Sequence, residues 1–235
     1  MQLFFSKEIQ NNQIVLDADE ARHVLVLRKQ IGDSLDITDG NGHLYACVIS
    51  EIGKKKVIAT IVSSTFHDYT WQNLSIYIAP TKNMDRMEWM VEKLTEIGVG
   101  EIGFVKTENS ERRDIKLERL EKKAVAAIKQ SLKMRLPVLH IIQNLPAVIK
   151  GCEGEVKLIA HCYEDEIRNN LTKAIGPDKK VVLLIGPEGD FSKQEVSLAR
   201  QNGFEGVQLG KARLRTETAA VVACTLINQI IEDFS

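Results

Sequence analysis

The chain has 235 residues, with 31 Lys and Arg against 32 Asp and Glu, and its formal net charge is -1. This balance argues against a polybasic arm that binds phosphate through bulk charge, although a balanced total still permits local clusters that bind nucleic acid. Hydrophobic residues at 44% and charged residues at 27% are typical of a globular chain and exclude a disordered one.

Residues 1–70 are predicted to form a small β domain that contains one helix. The strands predicted in it are 34–38, 43–51 and 57–62. The sequence Asp-Gly-Asn-Gly at 39–42 is a strong turn signal between the first two of them. Asp17, with Glu20 three residues later, resembles a capping box and predicts the start of the helix. Strands linked by hairpins in this way predict a small barrel.

After a polar stretch at 66–70, apolar runs of strand length alternate with amphipathic helical segments. The predicted strands are 74–79, 101–105, 138–141, 156–160, 181–185 and 206–209. The predicted helices are 85–97, 116–133, 192–202 and 216–233. Alternation of this kind is typical of a mostly parallel sheet with helices on both faces, so residues 71–235 are predicted to be an α/β domain.

The strand at 181–185 runs directly into the sequence Gly-Pro-Glu-Gly-Asp at 186–190. Two glycines around a Pro-Glu pair predict a tight turn whose backbone a ligand can approach closely. In open α/β sheets, ligands bind where the carboxyl ends of strands turn into loops. Ser192 and Glu195 predict a capping box for the next helix. The loop is therefore a candidate ligand site, although a strand-to-helix turn without a ligand can have the same sequence.

A second loop, at 210–216, opens the last predicted helix. It differs from a P-loop because Gly206 and Gly210 are one residue too close and Ala212 replaces the Ser or Thr that would hold Mg²⁺. A GxGxxG dinucleotide fingerprint is absent from the sequence, so a nucleoside triphosphatase and a Rossmann dehydrogenase are both disfavoured. A threonine cap at 216 or 218 would explain the Thr-Glu-Thr. It would not explain three nearby cations, which are Lys211, Arg213 and Arg215.

Together, the sequences LIGPEG at 184–189, LG at 209–210 and LRTETA at 214–219 resemble the knotted (SPOUT) RNA methyltransferases. Specifically, they resemble the RsmE family, which methylates N3 of a uridine in 16S ribosomal RNA. Residues 82–99, 111–112 and 130–137 are similar to further segments of that family, and 23–28, 32–33 and 39–40 to its PUA-like RNA-binding barrel. The resemblance runs nearly end to end. Two positions depart from the family pattern: Asp190 stands where a second Gly is usual, and Lys133 replaces a typical Arg.

The resemblance implies a deep trefoil knot near the C-terminus in the α/β domain. It also implies that S-adenosylmethionine is held in that knot, largely by backbone groups of three loops, and that the protein is a homodimer. The residues expected to bind the cofactor are Leu184, Gly186, Pro187, Glu188, Gly189, Leu209, Gly210, Leu214 and Thr218.

Methylation of uridine N3 requires the loss of the N3 proton, and a cation beside the uracil oxygens would stabilise the resulting anion. Arg215 is the first candidate for this catalytic role. Glu217 is a candidate base, or else a structural partner for an arginine, since a glutamate in a helix's first turn is favoured by the helix dipole. The candidate RNA-binding residues are all cationic and are Arg22, Arg28, Arg86, Arg112, Lys133, Arg135 and Arg213.

The expected partner is 16S rRNA, within the small ribosomal subunit. Two alternatives stay open, namely a related knotted enzyme that modifies another RNA or a ribose 2′-OH, and a non-catalytic RNA-binding assembly factor. The N-terminus lacks the apolar core of a signal peptide, and no apolar run approaches the roughly 18 residues of a membrane span. The four cysteines are scattered and form no zinc motif. We therefore expect a cytoplasmic protein without bound metal and without membrane association.

Overall fold

The computed structural model describes residues 2–110, 114–163, 167–175 and 179–232. The chain forms two compact units. The N-terminal unit comprises the chain up to Asp68 together with Val125–Leu136, and the C-terminal unit comprises Tyr69–Ala124 and the chain from Pro137 onward. Each unit has its own sheet and its own hydrophobic core.

The N-terminal unit is built on a six-stranded sheet. Its strands are β1 (Leu3–Phe5), β2 (Ile9–Gln10), β3 (Gln13–Leu16), β4 (Ser34–Thr38), β5 (His43–Ile52) and β6 (Val57–Phe66). They lie in the order β1-β4-β5-β6-β3-β2, and all neighbours are antiparallel except β1 and β4. The predicted turn at 39–42 joins β4 to β5. Gly40 and Gly42 have φ values of +74° and +104° there, a backbone region that glycine adopts without strain.

The helix of this unit is α1 (Ala18–Val26), and it begins at Asp17 as predicted. The Asp17 carboxylate accepts hydrogen bonds from the backbone N–H groups of Asp19 and Glu20. The Glu20 side chain does not complete a capping box. Its carboxylate is buried and pairs instead with Lys129 Nζ at 2.5 Å. Glu20, which was predicted to help begin the helix, therefore stabilises the packing of α1 within the unit.

The C-terminal unit is built on a seven-stranded sheet. Its strands are β7 (Leu74–Ile78), β8 (Glu101–Lys106), β9 (Val138–Asn144), β10 (Val156–Ala160), β11 (Asn169–Asn170), β12 (Val181–Ile185) and β13 (Glu205–Gln208). The remaining helices of the chain are α2 (Met84–Ile97), α3 (Leu117–Ser131), α4 (Leu145–Gly151), α5 (Leu171–Ala174), α6 (Lys193–Gln201) and α7 (Thr216–Glu232). The strand order is β11-β13-β10-β12-β7-β8-β9, and every neighbouring pair is parallel.

Burial explains why β12 forms a central strand, since all five of its apolar residues are buried, as parallel sheets covered on both faces require. The predicted fold class, a small β domain followed by an α/β domain with a parallel sheet, is confirmed. The trefoil knot stays a prediction. No helix in the described part of the chain is long and apolar enough to cross a membrane.

Candidate active site

Three neighbouring strands of the C-terminal unit, β13, β10 and β12, point their carboxyl ends at one cavity. The cavity has a volume of about 380 Å³ and is lined by parts of the segments 160–168, 185–190 and 207–219. This is the position at which open α/β sheets bind ligands, and the volume lies within the usual range for small-molecule sites.

Most of the predicted cofactor residues lie in the cavity wall. Those that line it are Gly186, Pro187, Glu188, Leu209, Gly210 and Leu214. Three others lie elsewhere. The Leu184 side chain is fully buried in the hydrophobic core, Gly189 accepts a hydrogen bond from Asn109 through its carbonyl, and Thr218 is a half-buried residue in the first turn of α7.

Hydrogen bonds connect the loop after β12 with the loop that precedes α7. The buried Thr216 hydroxyl donates to the Gly186 carbonyl at 3.1 Å, so it anchors the start of α7 to the glycine turn. Arg213, predicted to bind RNA, donates to the Glu188 carbonyl at 3.3 Å. Arg215 also lines the cavity and is exposed. No hydrogen bond or ion pair joins its guanidinium to any residue that the structure describes, so this cation is available to a ligand.

Asp190 connects a third loop to the other two. Its Oδ2 accepts a hydrogen bond from Cys162 N at 2.8 Å, in the loop after β10. The Tyr163 hydroxyl donates to the Phe191 carbonyl at 2.7 Å and forms a second link between the same loops. The walls that follow β10 and β12 are therefore fixed to each other.

His161, Cys162 and Arg168 line the cavity but were not predicted as site residues. Burial, followed by the Asp190 carboxylate, raises the pKa of the Cys162 thiol, while Arg213 and Arg168 oppose that rise. The sequence pattern at 156–160 does indicate a strand. It carries no signal that this strand lies between β13 and β12, and only that position brings the following residues into the wall.

Glu217, the predicted base, is only 5% exposed and is not among the residues that line the cavity. Its Oε1 lies 3.6 Å from Nε of Arg86, which was predicted to bind RNA. The two residues belong to α7 and α2, and they form an ion pair that joins those helices. This geometry matches the structural alternative for Glu217 more closely than the catalytic one.

The other predicted RNA-binding residues are in the N-terminal unit or outside the described residues. Arg22 and Arg28 are exposed, and Arg22 pairs with Asp19 at 3.2 Å. Lys133 and Arg135 are half-buried. Arg112 lies outside the described residues.

The sequence profile described as an RNA methyltransferase domain matches residues 69–228, and that of an RNA methyltransferase PUA domain matches 16–62. The chain therefore belongs to the RNA methyltransferases, and the predicted enzyme class is confirmed.

Individual relatives define the family. The ribosomal RNA small subunit methyltransferase E of Buchnera aphidicola is 30% identical, over 99% of this chain and 94% of its own. A crystal structure named as a "probable rRNA-methyltransferase" from Porphyromonas gingivalis is 42% identical, with full coverage of both chains and a TM-score of 0.93. The Neisseria gonorrhoeae methyltransferase E, bound to S-adenosyl methionine, is 27% identical with full coverage and a TM-score of 0.83. The chain belongs to the ribosomal RNA small subunit methyltransferase E family, as the sequence predicted.

Proposed function

We propose that the protein transfers the methyl group of S-adenosylmethionine to N3 of a uridine in 16S rRNA of the small ribosomal subunit. The observation that carries this proposal is the cavity at the ends of β13, β10 and β12. Its walls are the loops whose sequences match the family, and its free cation, Arg215, is positioned to meet a second substrate.

The cavity suits S-adenosylmethionine in size and in chemistry. A Cβ added at Gly210 would meet no atom within 4 Å, and the residue's φ of +142° strongly favours glycine, so backbone is presented to open space there. Glu188 and Asp190 place carboxylates in the wall, which can pair with a sulfonium and an ammonium group, and three arginines in the same wall can pair with a ligand carboxylate. When bound, the cofactor supplies an electrophilic methyl group.

The protein's part in the reaction is positioning and electrostatic stabilisation. Uridine N3 carries a proton at neutral pH. That proton passes to solvent water, and its loss leaves negative charge shared with the neighbouring carbonyl oxygens. The Arg215 guanidinium, placed beside those oxygens, would stabilise that charge as it develops. The target base must be unstacked to enter a cavity of this kind.

RNA binding is assigned to both parts of the chain. We propose residues 1–70 as the PUA-like RNA-binding domain and 71–235 as the catalytic domain, of which Val125–Leu136 belongs to the first compact unit. The profile matches at 16–62 and 69–228 support this division. Arg22, Arg28, Lys133 and Arg135 would bind phosphates from the first compact unit, and Arg213 beside the cavity. Assembly of ribosomal subunits places the substrate in the cytoplasm, which we propose as the site of action.

Incubation with S-adenosylmethionine labelled in its methyl group tests the reaction. Free 16S rRNA and assembled small subunits are supplied separately, and the RNA is then digested to nucleosides. We expect label in N3-methyluridine. Label in a 2′-O-methyl nucleoside would assign the protein to a different knotted activity, and absence of label from every RNA form would contradict the enzyme assignment.

The role of Arg215 is tested with Arg215→Ala. Because Arg215 is assigned to charge that develops in the reaction, kcat/KM should fall by about 10²- to 10³-fold while the cofactor Kd stays within about twofold. Lys211→Ala is the matched control, because Lys211 is an exposed cation of the same loop that does not line the cavity. Equal activity of the two variants would remove Arg215 from the catalytic site.

A further inference from the structure

Three aromatic side chains form a row at one end of the N-terminal sheet, and the row becomes more exposed along its length. Tyr45 packs against the core of this unit. The His43 ring stacks on it with centroids 5.7 Å apart and 27° between the planes, and the Phe66 ring meets His43 edge-on at 5.1 Å. Phe66, which pairs with His43 across β5 and β6, is 55% exposed. The row, defined here as Tyr45, His43 and Phe66, therefore ends in solvent with a large apolar ring.

Hydrogen bonds fix the orientation of the aromatic row. Asp39, which is 7% exposed, accepts from the Tyr45 hydroxyl at 3.4 Å, and its Oδ2 lies 3.1 Å from Nδ1 of His43. The same carboxylate accepts from the backbone N–H groups of Asn41 and His43. A ring held in this way loses little conformational entropy when a second flat group stacks against it.

A cation lies on the segment paired with the turn before His43. Arg135 forms a β-bridge with Asn41, framed by hydrogen bonds from Gly42 N to the Met134 carbonyl and from Leu136 N to the Gly40 carbonyl. The Arg135 guanidinium has no hydrogen-bond or ion-pair partner among the residues that the structure describes. An exposed aromatic ring combined with an unneutralised arginine is the chemistry that binds single-stranded nucleic acid, where the ring stacks on a base and the cation binds a phosphate.

We propose that the aromatic row is a binding site for an unpaired nucleotide of the RNA substrate, whose base stacks on Phe66 and whose phosphate binds Arg135. This inference rests on the proposed function only in taking RNA as the partner. The row lies in the N-terminal unit, whereas the catalytic cavity lies in the C-terminal unit. A second copy of the chain would also explain the exposed ring, but RNA is the partner that the proposed function already supplies, and it accounts for the cation as well as the ring.

Fluorescence anisotropy without cofactor tests the site, with a labelled oligouridine of about 12 nucleotides and an RNA duplex of the same length as probes. Stacking requires an unpaired base, so Phe66→Ala should weaken binding of the single strand about tenfold and leave duplex binding unchanged. Arg135→Gln should weaken binding of both probes and reduce the salt dependence, because phosphates are present in each. Phe66→Trp should restore binding of the single strand. In a Trp89→Phe background, the buried Trp71 contributes a constant emission, and the fluorescence of the indole introduced at position 66 should be quenched on binding.

Val62→Ala is the matched control, because Val62 is an exposed apolar residue of the same strand, β6, at 68% exposure. It should bind both probes like the unaltered protein. Equal losses in the Phe66→Ala and Val62→Ala variants, unquenched fluorescence of the Phe66→Trp variant in its complex, or failure of the unaltered protein to bind oligouridine would each overturn the proposal. A change of oligomeric mass caused by Phe66→Ala would also overturn it, by assigning the ring to contact with a second copy of the chain. Because no methyl transfer is measured, failure of the proposed reaction leaves this test intact.

Discussion

Asp190 adopts a left-handed backbone conformation and also forms a specific hydrogen bond between two loops. Its φ of +64° lies in the left-handed region, which Asp and Asn tolerate better than other residues that have a Cβ. Its two carboxylate oxygens accept from Cys162 N and Phe191 N, each at 2.8 Å. Its carbonyl accepts from Asn109 Nδ2 at 3.0 Å. Asp190 thus fits the left-handed turn and adds a hydrogen bond between two cavity walls.

Substitutions at Asp190 should separate these two contributions. Asn tolerates the left-handed backbone and retains an acceptor, Gly retains only the backbone freedom, and Ala retains neither. We expect the Kd for S-adenosylmethionine to rise in the order Asn, Gly, Ala. The Gly variant should bind S-adenosylmethionine about tenfold more weakly than the unaltered protein, because a hydrogen bond to a charged group is lost. The Ala variant should bind it about fivefold more weakly again, because its backbone is also strained. Calorimetric titration measures this, and identical Kd values for all three variants would show that the link between the loops does not support binding.

At the scale of elements, local sequence patterns predicted most of the α/β framework. The apolar run that forms β12 and the capping box at Ser192, which begins α6, were both predicted from the sequence, and the structure confirms both. The order of the strands in the sheet could not be predicted, because each run of apolar residues specifies a strand without specifying its neighbours. For that reason the wall contributed by Cys162 was missed. The family resemblance supplied the glycine loops of the site, but the pairing of Arg86 with Glu217 depends on how α2 packs against α7 and has no local signal.

The ion pair between α2 and α7 should respond asymmetrically to removal of its two partners. Arg86→Ala leaves the buried Glu217 carboxylate without its cation and should lower the free energy of unfolding by about 1–2 kcal/mol, a value reduced because the arginine is partly exposed. Glu217→Gln removes the buried charge itself and should change stability by less than about 1 kcal/mol. Denaturant titration measures the free energy of unfolding of both variants. Arg22→Ala is the control, because it removes an exposed ion pair on α1 and should have only a small effect.

The same variants test the catalytic alternative for Glu217. If Glu217 has the structural role, Glu217→Gln should keep methyl transfer within about threefold of the unaltered protein. A general base contributes about 10²- to 10⁴-fold, so a loss of that size with unchanged cofactor Kd would restore Glu217 as the base.

At the scale of the whole molecule, one face of α7 is not fully covered within the chain. The helix packs against α2, α5, β7 and β12, which bury residues such as Ala220, Ala223 and Ile227. Along another side, Val222 and Leu226 are only partly buried and Thr225 is exposed. A helix that is apolar around much of its circumference usually buries this second face as well. The family resemblance also implies a homodimer. We therefore propose a homodimer in which α7 meets its symmetry mate, since a twofold interface applies one patch to itself.

The homodimer predicts a sedimentation mass at micromolar concentration of twice the 26.4 kDa chain mass. Thr225→Arg places a long cation at the centre of the partly covered face and opposite its own copy, so like charges should drive the protein towards monomers. Gln201→Arg, at the exposed end of α6, is the matched control and should stay dimeric. The Thr225→Arg monomer should keep its far-ultraviolet circular dichroism but lose methyl transfer, because we propose an RNA site that draws on both subunits, as the family resemblance implies. A single-chain mass for the unaltered protein, or full activity of the monomeric variant, would show that one chain suffices.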